Sequence, residues 1–223
     1  MSFILGDIVT RVQQRIRDTG YSSTEIKGYV NDAQNDAFNE YRLPFTQDIQ
    51  TYSLVAGQSD ITNGAGLPTN YVQAVDLTLT SGGTQMVLPY VDVTSIDSFY
   101  PNPEDSVLHP PGIPIYWYWY EQTIKVFPTP VAGLTVSLRY YKRPTTLDSD
   151  ADVPDLPSEF EELLIMGAAY RVLQVKDNYD QAAILQNKYD EILQKLVVKY
   201  SVPQVGEPMR MRINRNVTRK RYF

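Results

Sequence analysis

The hydrophobic periodicity of this chain changes twice along its length, and this double change constrains the fold more than any other feature. Apolar side chains recur at helical spacing before Gln47 and again well after Tyr141. Between those points, short segments rich in Val, Thr and Tyr are separated by turn residues, which is typical of antiparallel β structure. Strands and helices do not alternate as a parallel α/β sheet requires. The order predicts an α+β fold in which an antiparallel β domain is inserted into a helical body.

This order divides the chain into four parts. Residues 1–45 are predicted to form the N-terminal helical hairpin of the body, and residues 146–200 are predicted to form its C-terminal helical part. Residues 46–145 are the predicted inserted antiparallel β domain. Residues 201–223 are predicted to be an extended basic arm. The helical body therefore has two N-terminal and two C-terminal helices.

Local signals indicate where the helices begin and end. Gly20 is predicted to end the first helix in the left-handed C′ position. Ser22 and Glu25 have the spacing of a capping box, which predicts the start of the second helix. Pro157 is predicted to lie in the first turn of the third helix. Within that helix, the small residues Gly167-Ala168-Ala169 predict the close approach of another backbone.

The middle of the chain predicts six strands, a short helix and a long loop. The predicted strands are Ile49–Val55, Tyr71–Thr80, Gln85–Val91, Ile113–Glu121, Thr123–Phe127 and Leu134–Lys142. Because side chains alternate along a strand, Val75, Leu77 and Leu79 are expected to share one face. Asp92–Phe99 is predicted as a helix, and the proline-rich segment Asn102–Gly112 is predicted as a loop.

The composition excludes several classes of site. The chain contains no Cys, which removes disulfide frameworks, thiolate nucleophiles and Cys-bearing zinc sites. Its one histidine, His109, lies between Leu108 and Pro110, where a structural role is favoured over a catalytic one. No apolar run approaches the roughly 20 residues of a membrane span, and the apolar run at the start is too short for a signal peptide. We expect a soluble protein made in a cytosol, without a membrane partner.

Two patterns that superficially suggest ligand binding are not convincing. Asp148, Asp150 and Asp152, with Glu159 at the twelfth position, resemble a calcium loop, but Val153 stands where the sharp turn needs Gly. We interpret this segment as a solvated acidic linker that leads into a helix. No Gly-rich loop precedes a Lys-Ser or Lys-Thr pair, so no phosphate loop is predicted. We therefore expect no catalytic residue, metal or cofactor, and no enzyme.

Residues 116–120 form the most unusual stretch of the chain. On a strand, Trp117 and Trp119 share one face. The other face then carries Tyr116, Tyr118 and Tyr120. Such side chains can stack on sugars or bases, as in a module that binds a carbohydrate or a receptor. We favour a strand that is buried on one side and lies at a subunit interface on the other, because Tyr suits half-wet interfaces.

The charge is divided unevenly between a body and a tail. Residues 209–223 hold six Lys or Arg and no acidic residue, a net charge of +6, whereas residues 1–208 hold 14 basic and 26 acidic residues, a net charge of −12. A basic tail favours nucleic acid. Apolar residues are interleaved with the charges, however, which suits an arm that docks on an acidic, partly apolar protein groove. The candidate docking residues are Met209, Arg210, Met211, Arg212, Ile213, Arg215, Arg219, Lys220, Arg221, Tyr222 and Phe223.

Several short motifs follow the N-terminal helical pair in a particular order. They are Tyr52-Ser53-Leu54-x-x-Gly57, Leu67-Pro68-x-x-Tyr71, Val126-x-Pro128-x-Pro130, Val136-x-Leu138-x-Tyr140-Tyr141-x-x-Pro144, Leu156-Pro157, Gly167-Ala168-Ala169 and Tyr189-x-x-x-Leu193. Each motif alone is nonspecific. In this order and spacing, over about Asp7–Tyr200, the chain resembles the head-to-tail adaptor (connector) proteins of tailed bacteriophages.

The resemblance implies a virion structural protein without catalysis. Similar adaptors form a dodecameric ring beneath the portal protein, and DNA passes through the ring without specific binding. Their C-terminal segment reaches the portal, which here suggests Gln204–Phe223 as the portal-binding arm. The β domain is expected to face outward or towards tail proteins such as the nozzle or fibres. The implied location is the head–tail junction of the virion, after assembly in the host cytoplasm. Asn102–Tyr120 is the segment that departs most from the family pattern.

Overall fold

The computed structural model describes residues 3–40, 43–131 and 133–200. These residues form five α-helices: α1 (Leu5–Arg15), α2 (Ser23–Glu40), α3 (Val93–Phe99), α4 (Glu161–Val175) and α5 (Tyr179–Tyr200). They also form six strands: β1 (Gln47–Ser53), β2 (Tyr71–Ser81), β3 (Thr84–Leu88), β4 (Tyr116–Tyr120), β5 (Thr123–Phe127) and β6 (Thr135–Lys142). All ladders between these strands are antiparallel, so the predicted α+β class is confirmed. The predicted arm, residues 201–223, lies outside the described residues.

Helix α4 forms the centre of the helical body. It is buried at nine positions, since α1, α2 and α5 all pack against it. A helix that is apolar on most of its circumference needs neighbours on several sides, and α4 has them. Phe160, just before α4, is fully buried and contacts the rings of Phe45 and Tyr200. The predicted close approach at the small residues is confirmed, because Gly167 lies against Ala33 of α2.

The first helix ends earlier than its sequence suggests. Arg17, with φ of 55°, takes the left-handed position that was predicted for Gly20. The Arg17 N–H donates to the carbonyl of Gln14, and the Asp18 N–H donates to the carbonyl of Gln13. These two bonds form a Schellman motif, which satisfies the last carbonyls of α1 before Gly20 is reached. The prediction for Gly20 was therefore wrong.

The start of α2 agrees with the sequence pattern. The Glu25 N–H donates to Ser22 Oγ at 3.4 Å, which is the first half of the predicted capping box. At α3 the carboxylate of Asp92 accepts from the Thr94 N–H at 3.1 Å and caps the helix. The short helix predicted over Asp92–Phe99 is thus confirmed.

Strands β1, β6, β2 and β3 form one sheet in that order, and β4 and β5 form a separate hairpin. The inner face of the sheet buries Leu77, Leu79 and Leu138 against Trp117 and Ile124 of the hairpin. The expectation that Val75 shares this face was wrong. The register against β6 shifts between Ala74 and Asp76, so a bulge turns Val75 outward and leaves it 37% exposed.

The acidic linker before α4 is bound to the helical body along much of its length. Asn31 of α2 accepts from the Leu147 N–H at 2.8 Å and donates to the Leu147 carbonyl at 2.9 Å. Lys27 forms an ion pair with Asp150 at 2.8 Å. The carboxylate of Asp152 accepts from two backbone N–H groups of the linker itself. The interpretation of this segment as a merely solvated linker was incomplete, because long-range contacts use its polar groups.

Candidate assembly surface on the β domain

The β4–β5 hairpin is the framework of the candidate surface. On one side, the Ile61 N–H donates to the Ile124 carbonyl at 3.1 Å, which adds a short extended segment beside β5. On the other side, the Trp117 N–H donates to the Pro89 carbonyl at 3.1 Å, and the Val91 N–H donates to the Trp117 carbonyl at 2.9 Å. Both outer edges of the hairpin are therefore partly paired, which fixes the direction of its side chains.

Asp60 ties the loop after β1 to this hairpin. Its carboxylate accepts from the Thr62 N–H at 2.8 Å, from Thr123 Oγ1 at 2.8 Å and from the Gly64 N–H at 3.2 Å. Burial by itself raises the pKa of Asp60, but these hydrogen bonds favour the charged form and lower the pKa overall. No sequence motif pointed to Asp60, because the partner that ties it to the hairpin, Thr123, lies 63 residues further along the chain.

The two tryptophans of β4 lie on one face, as predicted, but in different surroundings. Trp117 is 7% exposed, and its indole N–H donates to the Leu88 carbonyl at 3.1 Å. Trp119 is 38% exposed and stacks on Tyr71, with ring centroids 5.9 Å apart. Only Trp119 therefore offers substantial exposed ring surface. The pair does not form a continuous platform for a sugar or a base.

An open groove lies on this tryptophan face, between the hairpin and the first half of β2. Its volume is about 790 Å³. It is lined mainly by aromatic and aliphatic side chains: Tyr71, Val72, Val75, Tyr90, Trp117 and Trp119. A largely apolar, open groove of this size is suited to binding a partner of similar polarity.

The opposite, tyrosine face of β4 is covered by α3 and the loop that follows it. Tyr118 is 2% exposed and packs with Ile96 and Phe127. Burial, followed by the charges of Glu104 and Asp97, raises the pKa of Tyr118. Further along the strand Tyr120 is 41% exposed. The strand is therefore buried on both faces near Trp117 and Tyr118, and it becomes accessible only towards its C-terminal end.

The proline-rich loop is attached to the hairpin by polar contacts. The carboxylate of Glu104 accepts from Ser59 Oγ at 2.8 Å and from Lys125 Nζ at 2.6 Å. Nε2 of His109 lies 3.0 Å from the Pro101 carbonyl oxygen, and its ring centroid lies 5.4 Å from that of Phe127. His109 thus packs on the hairpin as a structural residue, in agreement with the sequence interpretation.

The same loop presents apolar side chains to solvent. Val107 is 86% exposed, Leu108 is 58% exposed, and Phe99 at the end of α3 is 76% exposed. Sequence reasoning missed these residues, because the exposure of an apolar side chain in a loop has no sequence signal of its own. Together with the groove, they make the β domain the candidate assembly surface.

Comparison with known proteins decides the family. A family model described as SU10 adaptor protein matches residues 4–215 of the chain. The chain belongs to this family of phage head–tail adaptors. No curated protein matches it significantly.

Membership makes this adaptor a phage structural protein that associates with portal or tail components in the virion. The family is one of structural adaptors and not one of enzymes. Over residues 3–40, 43–131 and 133–200 of the adaptor, no group of three or more His, Asp or Glu side chains is placed to hold a metal ion. No helix in that part of the chain is long and apolar enough to cross a membrane.

The predicted site residues of the adaptor fall into two groups. Tyr116 to Tyr120 lie on β4 as described above, and their predicted role at a subunit or tail interface stays a prediction. The predicted portal-binding residues, from Met209 to Phe223, lie outside the described residues.

Proposed function

We propose that the adaptor forms a ring between the portal and the tail, binds the portal through residues 204–223 and lets DNA pass through its channel. The proposed ring is dodecameric, as the family resemblance implies, and the proposed tail partners are nozzle or fibre proteins. Membership of a head–tail adaptor family supports the junction role. The distribution of charge between the body and the arm carries the finer proposal.

Most basic side chains of the body are paired with acidic side chains of the same subunit. Ten ion pairs among the described residues use ten different basic side chains of the body. Residues 1–208 hold 14 basic and 26 acidic residues, so most charged groups of the body that have no ion-pair partner are carboxylates. A channel of that sign repels DNA phosphates and does not retain them during passage.

The arm has the opposite balance. Its six basic residues from Arg210 to Arg221 have no acidic neighbour in residues 209–223. Met209, Met211 and Ile213 alternate with Arg210 and Arg212, so an extended conformation over residues 209–213 would place apolar side chains on one side and arginines on the other. That combination fits an acidic, partly apolar groove on the portal. Because every subunit of a ring supplies one arm, many weak contacts add up to strong attachment.

Capture of purified portal protein tests the arm. We compare the full chain with a chain that ends at Pro203, and we use circular dichroism and thermal unfolding to check that both are folded. The truncated chain is expected to keep its spectrum and unfolding temperature and to lose portal capture. Unchanged capture by the truncated chain would show the proposal to be wrong.

Two matched sets of substitutions separate charge from apolar contact. One set changes Arg210, Arg212 and Arg215 to Ser, and the other changes Met209, Met211 and Ile213 to Ser. We expect both sets to weaken portal capture, and only the arginine set to reduce its sensitivity to salt. The same salt series with duplex DNA tests the nucleic-acid alternative, which requires strong binding at low salt through the arm.

A tail module that binds a carbohydrate or a receptor is the competing proposal. The exposed ring of Trp119 at the groove supports it, whereas the burial of Trp117 counts against it. Glycan-array binding that is lost in Trp119→Ala, by a full chain that does not capture portal, would favour this module over the adaptor arm.

A further inference from the structure

Two exposed apolar features lie on opposite faces of the β4–β5 hairpin. On the tyrosine face, the loop tip formed by Val107 and Leu108 is largely exposed, as is Phe99 at the end of α3. On the tryptophan face lies the groove of about 790 Å³. Single exposed apolar residues are ordinary on a soluble protein, but Val107 and Leu108 are adjacent in the chain and are both largely exposed.

The loop tip is held in one conformation by its own contacts. The carboxylate of Asp105 accepts from the Val107 N–H at 2.8 Å, and the Asp105 carbonyl accepts from the His109 N–H at 2.8 Å. The His109 ring then packs against Tyr100 and Phe127. The chain on both sides of Val107 and Leu108 is thereby ordered before any partner arrives, which lowers the entropy cost of docking.

The groove is held open by irregularities in β2. Register shifts against β6 leave Val72 and Val75 without a Cα partner on that strand, and both side chains are exposed. Strand β3 pairs with β2 only from Leu77 onward, so within the described sheet the first half of β2 is not covered by β3. The stacked rings of Tyr71 and Trp119 form the other wall. Bulges are known to re-aim side chains at functional edges of sheets, and these two bulges place valines in the groove.

We infer that the Val107–Leu108 tip of one subunit docks in the groove of a second copy of this chain. The tip of a subunit is attached to the tyrosine face of its own hairpin through Glu104 and His109, so its own groove lies on the far side. Each subunit therefore offers one tip and one groove in different directions.

A contact of this kind joins two different surfaces, and repetition of such a contact generates a ring when the rotation between subunits closes. The inference rests on the proposed ring and adds the residues that join neighbouring subunits. It also gives the tryptophan face of β4 a partner, namely an aliphatic loop of the same protein.

Cysteine cross-linking tests the contact, because the full chain contains no native Cys. Val72→Cys and Val107→Cys are combined in one chain and also made singly, and a short bismaleimide is added to the free protein and to protein assembled on the portal. The double variant is expected to give a ladder of products that starts at the dimer and extends beyond it. Each single variant is expected to give no cross-linked product under the same conditions.

The control combines Val72→Cys with Val175→Cys, because Val175 is a comparable exposed valine, 60% exposed, on α4. This control is expected to give no ladder. The inference is overturned if the double variant gives no products either free or on the portal. It is also overturned if Val107→Cys alone gives as much dimer as the double variant, since that result means a symmetric contact.

A second variant separates this inference from the proposed function. Val107→Asp combined with Leu108→Asp keeps the arm and changes only exposed side chains, so the protein is expected to fold. We expect this variant to self-associate less than the natural chain, while its single subunits still bind portal. If the chain that ends at Pro203 loses portal binding but, with both cysteines, still gives the ladder of cross-linked products, the portal-binding arm and the contact between tip and groove are supported independently. A ladder that persists when portal capture by the full chain fails would overturn the portal proposal alone.

Discussion

A Cβ atom placed on Gly167 of α4 would lie 2.7 Å from the Cβ of Ala33 on α2. Non-bonded carbon atoms do not come that close, so the two helices meet here only because position 167 has no side chain. The same Cβ would also lie 3.0 Å from the ring of Tyr189 on α5. Gly167 therefore fixes the distances between three helices of the body at once.

Gly167→Ala is expected to destabilise the protein by about 1–3 kcal/mol, because the helices have to move apart to admit one methyl group. Gly28→Ala is the matched control, since no described atom outside its own stretch of helix lies within 4 Å of its added Cβ and its helix is solvent-facing there. The control is expected to stabilise the protein by about 0.5–1 kcal/mol through helix propensity. Urea unfolding of both variants measures the difference, and equal effects of the two substitutions contradict the packing argument.

The two tryptophans of β4 should differ sharply in their contribution to stability. Trp117→Ala removes a buried ring and the hydrogen bond to Leu88, and we expect a loss of about 3–5 kcal/mol in the free energy of unfolding. Trp119→Ala should cost about 1 kcal/mol, because much of that ring is already in water. Thermal unfolding monitored by circular dichroism checks both values. A larger loss at Trp119 would mean that the groove is closed in solution.

The hydrogen bonds of Asp60 predict a specific dependence of the protein's stability on pH. Hydrogen bonds hold the pKa of its carboxyl below the ordinary value of 3.8, so the charged form stabilises the fold above that value and the stabilisation is lost as the pH falls through the lowered pKa. Asp60→Asn is expected to cost about 1–3 kcal/mol near neutral pH. The difference from the natural chain should then shrink at pH values below about 3.8. Urea unfolding at a series of pH values measures this difference in the free energy of unfolding. A difference that stays constant down to acid pH would show that the Asp60 carboxylate is not the cause.

The contact between Glu104 and Lys125 should control the order of the loop tip. Glu104→Gln removes the ion pair at 2.6 Å, although the neutral side chain keeps its shape. Because Glu104 is half exposed, we expect a loss of only about 1 kcal/mol in stability, together with faster amide hydrogen exchange over residues 101–109. Glu191→Gln is the control, since it breaks an exposed pair with Lys195 on α5. The control should leave exchange in the loop unchanged, and equal exchange in the two variants contradicts the bracing of the tip.

Much of the fold follows from local patterns. The helical spacing around Ile8 and Ile26 and the alternation along β5 and β6 depend on neighbours in sequence, so they were predictable within a few residues. Thr123–Phe127 was predicted with both ends correct. The errors at Gly20 and Val75 have one cause. In each case a feature of the folded backbone, a Schellman motif or a bulge, shifts the phase of the pattern by a few residues.

The candidate surface was less predictable, since pairs far apart in sequence create it. Trp117 and Trp119 are equivalent in the sequence pattern, and the distant segments that pack on each ring decide which one is buried. Likewise, the attachment of Glu104 to Ser59 joins segments 45 residues apart.

The sequence by itself determined the α+β order of the chain, the absence of cysteine chemistry, the separation of an acidic body from a basic tail, and the resemblance to phage adaptors that the family match confirms. The tertiary structure alone decided which aromatic side chains are accessible, that the proline-rich loop is braced on the hairpin, and that an exposed tip and an open groove lie on opposite faces of β4. The physical reason is that hydrophobic periodicity is a local property, whereas burial is set by whichever distant segment packs on each side chain.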